Sequence, residues 1–271
     1  MDSLSGTLPE FRCALVTGAT SGIGLEYARQ LAPRTGILVL VARREKRLEE
    51  IAADLVSAHP HLRVKTFGSD LVDESGRIHL INLLSREELF PDCLINNAGM
   101  GDYGEFRTSE WAKTERMIRL NMEALTHLTH ALLPGLIARR GAIVNVSSLA
   151  GDLPIPDFAV YAATKAYVTS FSEALRLELR DQGVRVLAVC PGPVKTNFGE
   201  TARRATTIKL PTKEAFYVPA EKVVQDSLKA LLNDRPRVYP GLKVAATAAL
   251  IGILPLAAIR LLMASRPRKS E

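Results

Sequence analysis

Short apolar, β-branched runs recur along this chain with helical stretches between them, and few folds accept that alternation. The strand candidates are CALVTG (13–18), ILVLVA (37–42), RVKTFG (63–68), CLINNAG (93–99), AIVNVSS (142–148), VRVLAVCPG (184–192) and a short RVYPG (237–241). Between them lie helical patterns such as GLEYARQLA, EKRLEEIAADLVSA and AYVTSFSEALRLELRDQ. A strand that is apolar on both faces must be covered on both. Near-continuous apolar strands separated by helices therefore predict a parallel sheet between two helical layers. The expected fold is α/β, a doubly wound parallel sheet of about seven strands. No internal repeat or low-complexity linker appears, so residues 1–242 read as one domain and 243–271 as a C-terminal extension.

The chain has 271 residues, 47% hydrophobic and 24% charged, enough for one large core and ordinary for a globular domain. Its three cysteines, Cys13, Cys93 and Cys190, are far apart, and each lies in or beside an apolar run. That pattern predicts buried thiols in a reducing compartment and argues against a disulfide framework or a metal site. The first twelve residues, MDSLSGTLPEFR, have no basic start and no apolar stretch, so no secretory leader is expected and a cytoplasmic location is. The net charge is +6, but +4 of it belongs to the segment from Lys243 onward. A nucleic-acid protein would spread its basic residues over a groove or helix face, so that class is rejected.

After the first strand comes TGATSGIG, Thr17 to Gly24, and then a helix. Gly18, Gly22 and Gly24 have G-x-x-x-G-x-G spacing. Glycines let the backbone turn sharply and approach a pyrophosphate, while the helix opening at Ser21, Gly22 and Ile23 presents free N–H groups to it. The second strand ends in LVLVARREKRL. Where an acid would accept the ribose 2′-hydroxyl of NAD stands Ala42, followed by Arg43 and Arg44. A guanidinium can grip a 2′-phosphate that a carboxylate would repel, so the cofactor read here is NADP(H).

The segment YAATK, Tyr161 to Lys165, places a phenol and a cation four residues apart, on one face of a helix. By itself the pair could simply face solvent.

Taken together, TGATSGIG, NNAG (96–99), LNMEA with Asn121, VNVSS with Ser148, YAATK and CPGPVKT (190–196) resemble the short-chain dehydrogenase/reductase family from about Phe11 to Gly241. The resemblance implies a Rossmann fold, hydride transfer between NADP(H) and a carbonyl or secondary alcohol, and a homodimer or homotetramer. It implies a catalytic tetrad of Asn121, Ser148, Tyr161 and Lys165. Ser148 is preferred over Ser147 by its distance from Tyr161, and Ser147 is expected to be structural. The resemblance also implies cofactor contacts from Asp70 beside the adenine, from Thr20 and Leu71, from Asn97, Ala98 and Gly99 along the cofactor path, and from Pro191, Gly192, Val194 and Thr196 at the nicotinamide end. Tyr161 and Lys165 would touch the cofactor as well as the substrate.

Chemistry gives each tetrad member a task. Reduction leaves an alkoxide that needs a proton, and a free tyrosine titrates too high for neutral pH. An ammonium close by is expected to lower the Tyr161 pKa, making it general acid in reduction and general base in oxidation. Ser148 would hold the substrate oxygen. Asn121, in mid-helix, would break the local hydrogen-bond pattern and hold a water. Leu149, Leu153, Ile155, Met100, Val194 and Phe198 make an apolar substrate pocket plausible. The stretch 195–218 is either a lid over the site or a surface connection.

Three readings compete for the uncharged run VAATAALIGILPLAAI, 244–259. It packs on the domain or on a partner subunit, it lies in a membrane interface, or it spans a bilayer, for which it is short. Two other functions fit the same fold: a non-catalytic NADP(H)-binding regulator and a sugar-nucleotide epimerase or dehydratase. The tetrad argues against the first. The short chain after the last strand argues against the second.

Overall fold

Seven parallel strands in the order β3-β2-β1-β4-β5-β6-β7 run through the middle of a computed structural model that describes residues 10–196, 198–204 and 216–264. They are β1 (Phe11–Thr17), β2 (Thr35–Ala42), β3 (Arg63–Gly68), β4 (Cys93–Asn96), β5 (Ala142–Val146), β6 (Arg185–Val189) and β7 (Arg237–Val238). Each expected strand is present. Helices α1 (Gly22–Leu31), α2 (Glu45–Ala58), α3 (Glu74–Arg86), α4 (Trp111–Ile118), α5 (Leu125–Ala138), α6 (Ala159–Glu178), α7 (Phe198–Ala202) and α8 (Ala220–Leu232) follow the strands.

Successive residues of a strand point to opposite faces, so an apolar strand feeds two cores. In β1, Ala14 and Val16 join one cluster with Tyr27 and Leu31 of α1, Leu48 and Ile51 of α2, and Val224 and Leu228 of α8. Cys13 and Leu15 join the other, with Leu80 and Leu84 of α3, Leu128 and Leu136 of α5, and Leu175 of α6. β2 divides the same way, Leu38 and Leu40 against Val39 and Val41. All three cysteines are buried and free, as expected.

The strand order reverses between β1 and β4, and in such sheets ligands bind at the carboxyl ends beside that reversal. Register lines those ends up: Thr17 pairs with Val41, Asn96 with Asn145, and Val146 with Val189. The turns after β1, β2, β4, β5 and β6 therefore emerge along one edge. Buried amides brace it. Asn96 donates to Asn145 at 2.9 Å, and Asn145 donates to Ser172 of α6 at 2.9 Å.

Beyond β7, α9 (Leu242–Ile253) and α10 (Leu256–Ala264) are bent 117° apart at Leu254–Pro255. Among the described residues no single helix is long and apolar enough to cross a membrane.

Candidate active site

The turn after β1 is shaped by two kinds of constraint. Gly18 has φ +68°, a left-handed conformation that disfavours a side chain. At Gly24 a Cβ would lie 2.3 Å from the Gly18 carbonyl, so the helix packs against the turn only without one. Gly22 opens α1, and Ser21 before it makes no side-chain capping bond, which leaves the first N–H groups of the helix pointing out of the turn. A pyrophosphate fits this cradle.

Thr17 staples this turn to the loop after β4. Its hydroxyl accepts hydrogen bonds from the N–H groups of Asn97 and Ala98, both at 3.0 Å, and Asn97 Nδ2 donates to the Thr17 carbonyl at 2.9 Å. Thr196, after β6, lies against Gly22 from the other side. Arg43 and Arg44 are exposed at the end of β2, and Arg44 donates to the Thr20 hydroxyl at 2.9 Å. Asp70, after β3, accepts from Val72 N–H at 3.1 Å and pairs with Arg116 of α4 at 2.9 Å. Burial raises its pKa, but these two partners outweigh burial and hold the carboxyl below the usual range. The side chain of Leu71 is buried in one core, and those of Ile23 and Val194 are partly buried against the other.

Asn121 sits in a single wide turn of π-helix, Arg119–Ala124, between α4 and α5, so the helix is broken where the sequence predicted. Its side chain is fully engaged. Oδ1 accepts from Met100 N–H and Nδ2 donates to the Met100 carbonyl, both at 2.9 Å, and Nδ2 also reaches the Thr164 hydroxyl at 3.0 Å. Gly99 is the point of convergence. A Cβ there would lie 3.3 Å from Asn121 Oδ1 and 3.5 Å from Lys165 Nζ.

Ser148 begins a 3₁₀ turn, Leu149–Asp152, and accepts from Ala150 N–H at 3.1 Å. The turn is tied to the end of β6 by Leu149 N–H, which donates to the Pro191 carbonyl at 2.9 Å. Ser147 points the other way. Its hydroxyl donates to the Lys165 carbonyl at 2.7 Å and meets Thr169 at 2.7 Å, which fastens β5 to α6.

Tyr161 and Lys165 lie in α6, both buried. Lys165 Nζ donates to the Val146 carbonyl at 2.8 Å and lies 5.8 Å from the centroid of the Tyr161 ring. Burial pushes Tyr161 up to about 12, against the opposing hydrogen bond of Ser148, and pulls Lys165 down to about 8. The expectation that Lys165 would depress Tyr161 is thus corrected. Desolvation disfavours the charged form of each group and is the largest cause of both shifts, while the lowering influence on Tyr161 comes from Ser148.

Around the phenol, Phe158 stacks on Tyr161 with centroids 4.3 Å apart, and Phe198 of α7 tilts against it at 5.6 Å. Met100 and Ile155 belong to the same apolar cluster, with Met117, Ala150 and Val160. Leu149 and Val194, also expected to line a pocket, are partly buried and pack against another core cluster, and Leu153 joins neither group. Of the stretch 195–218, Asn197 and residues 205–215 lie outside the described residues, while Phe198 to Ala202 form α7. Sequence reasoning missed Thr17, Phe158 and Thr164. Thr17 closes a strand and Phe158 opens a helix, and those boundary positions were the only signal available.

A family model for short chain dehydrogenases matches residues 12–207. Sulfoacetaldehyde reductase 2 of Chromohalobacter salexigens is 39% identical over 187 residues, covering 68% of this chain and 73% of that one. Very-long-chain 3-oxoacyl-CoA reductase of Bos taurus is 34% identical over 216 residues, covering 78% of this chain and 68% of its own. Among solved structures, a short-chain dehydrogenase from Sphingobium yanoikuyae in complex with NADPH superposes with a TM-score of 0.79 at 33% identity, covering 96% of this chain and 98% of that one.

Proposed function

The chain belongs to the short-chain dehydrogenase family, and from that premise we propose how its residues divide the work of interconverting a carbonyl and an alcohol. It is an oxidoreductase that uses NADP(H), which supplies or accepts the hydride. The Gly18–Gly24 turn and the start of α1 take the pyrophosphate. Arg43, with Arg44 beside Thr20, takes the 2′-phosphate, where Ala42 leaves no carboxylate to repel it. Asp70 and Leu71 border the adenine. Asn97, Ala98 and Gly99 line the cofactor path, and Pro191, Gly192, Val194 and Thr196 hold its nicotinamide end.

Tyr161 gives its proton to the nascent alkoxide in reduction and takes it back in oxidation. The Ser148 hydroxyl holds the same oxygen as charge develops on it. Lys165, whose Nζ lies 5.8 Å from the Tyr161 ring, takes the nicotinamide ribose by hydrogen bonding. Asn121 positions the Met100 backbone at the rim. The convergence of Gly99, Asn121 and Lys165 at the strand reversal is the observation that carries this reading.

Phe158, Phe198, Met100 and Ile155 around Tyr161 favour a hydrophobic carbonyl substrate. A cytoplasmic homo-oligomer is part of the same reading. Three buried free thiols suit a reducing compartment, and exposed Trp111 of α4 and Leu177 of α6 leave apolar surface for another copy. A panel of carbonyls and alcohols run with NADPH and NADH tests the function. Turnover of apolar carbonyls with NADPH is expected, and a protein that binds NADPH yet turns over none of them refutes the assignment.

A further inference from the structure

The two helices after β7 rest on the domain by one edge each. α9 buries Val244 and Ala248, and α10 buries Ile259 and Met263, an i,i+4 pair in both cases. Much of the rest of each helix is exposed and, apart from Lys243 and Arg260, apolar. Leu242, Leu250, Ile253, Leu256, Leu261 and Leu262 are exposed, six of the twelve large apolar side chains exposed among the described residues, within a segment of 23. Scattered exposed leucines need no explanation, but a concentration of this kind does.

Charge narrows what covers it. Lys243 and Arg260 stand exposed on the same two helices, and the sequence continues through Arg266, Arg268 and Lys269. No Asp or Glu occurs between Asp234 and Glu271. A second copy docking tail to tail in two-fold symmetry would bring like charges together. An anionic surface would complement them.

Shape narrows it again. Helices of 12 and 9 residues bent 117° apart are each too short to span a hydrocarbon core, which needs about 20. They have the proportions of a pair lying in an interface, with leucines below and basic residues above. The inner edge of α9 packs against the Ser148 turn, and a Cβ at Gly192 would lie 2.7 Å from Val244 Cγ2. The buried edge of α9 thus lies beside the Ser148 turn, and the exposed face is on the helix's other side.

We propose that the exposed face of α9 and α10 docks on a lipid surface carrying anionic headgroups. The reading does not depend on catalysis, and its test is independent of turnover. Full-length protein is sedimented with vesicles of phosphatidylcholine alone and of phosphatidylcholine with phosphatidylglycerol. It is expected to pellet with the anionic vesicles at low salt and to be partly released by high salt. The exposed double variant Leu261→Glu, Leu262→Glu should lose binding to both vesicle types while keeping its melting temperature. Arg260→Gln should weaken binding to the anionic vesicles by about fivefold, the worth of one basic residue at such a surface, and leave the neutral vesicles unaffected. Full-length protein that stays in the supernatant with both vesicle types at low salt overturns the proposal. So does light scattering that shows an oligomer broken by the leucine substitutions and indifferent to lipid, which would assign the face to a second copy.

Discussion

Lys165 Nζ and the ring of Tyr161 lie 5.8 Å apart with both side chains buried, and burial drives their pKa values away from their ordinary ones in opposite directions. The linkage has a definite sign. Lys165 titrates near 8 in the fold against 10.5 ordinarily, so between those values the unfolded chain holds the extra proton and stability rises with pH. Tyr161 titrates near 12 against 10, so between those values the fold holds the extra proton and stability falls with pH. Denaturant unfolding of the wild type and Lys165→Met should therefore diverge between pH 8 and 10. The wild type is expected to gain relative to the variant with a slope of up to about 1.4 kcal/mol per pH unit. Parallel curves would mean that Lys165 is solvated in the fold.

Tyr161→Phe removes the proton donor and little else. Turnover is expected to fall by at least about a hundredfold, the lower end of what general acid catalysis contributes, with NADPH affinity nearly unchanged. Fluorescence titration of NADPH beside a rate assay separates the two. A variant that keeps more than about a hundredth of wild-type activity would remove Tyr161 from its assigned role.

How much of this was legible follows from what each feature depends on. The five inner strands could be found because a doubly covered parallel strand must be apolar along its length, a local property of sequences such as ILVLVA, whereas the edge strands β3 and β7 are only part-buried and gave a weaker signal. The glycine turn and the pair of residues in YAATK are local as well. The Thr17 staple is not. Its partners Asn97 and Ala98 stand 80 and 81 residues away, and only the β1–β4 pairing brings them together. Asn121 announced a helix defect, but its engagement with the Met100 backbone depends on where the β4 loop passes. The direction of the Tyr161 shift is not legible in the sequence for a related reason. The spacing of Tyr161 and Lys165 gives their proximity, whereas depth of burial, which decides the sign, is a property of the finished fold.

Cofactor preference should follow the end of β2. Arg43→Ala is expected to weaken NADPH binding by about 1.5–3 kcal/mol, the range for hydrogen bonds to charged groups, and to leave NADH nearly unaffected. Ala42→Asp should shift preference further toward NADH by repelling the 2′-phosphate. Dissociation constants for both cofactors decide it. An equal loss for both in Arg43→Ala would make that arginine structural.

The remaining prediction concerns how α7 is held over Tyr161. Asp102, nearly inaccessible after β4, accepts from Arg204 Nη2 at 2.6 Å and pairs with Lys113 of α4 at 2.9 Å. Arg204 also donates to the Glu105 carbonyl at 2.8 Å and the Thr108 hydroxyl at 2.9 Å. Tyr103 N–H reaches the Ala202 carbonyl at 2.7 Å, so both sides of the loop grip the end of α7. That helix begins with Phe198, whose ring packs on Tyr161. Burial raises the Asp102 pKa, but Arg204 and Lys113 outweigh it and hold the carboxyl below the usual range, so the contact persists through mild acid and is lost only as pH falls through that depressed value. Arg204→Ala should free α7 without leaving Asp102 wholly unpaired, because Lys113 remains. KM for an apolar carbonyl is expected to rise by about tenfold or more as the wall beside Tyr161 loosens, while NADPH affinity stays unchanged. Arg204→Lys, which keeps a charge but loses the forked contact, should fall between the two. Steady-state kinetics on all three proteins, with NADPH titrations alongside, test the assignment. A melting temperature that drops in Arg204→Ala with KM unmoved would leave the Arg204–Asp102 pair a purely structural bond.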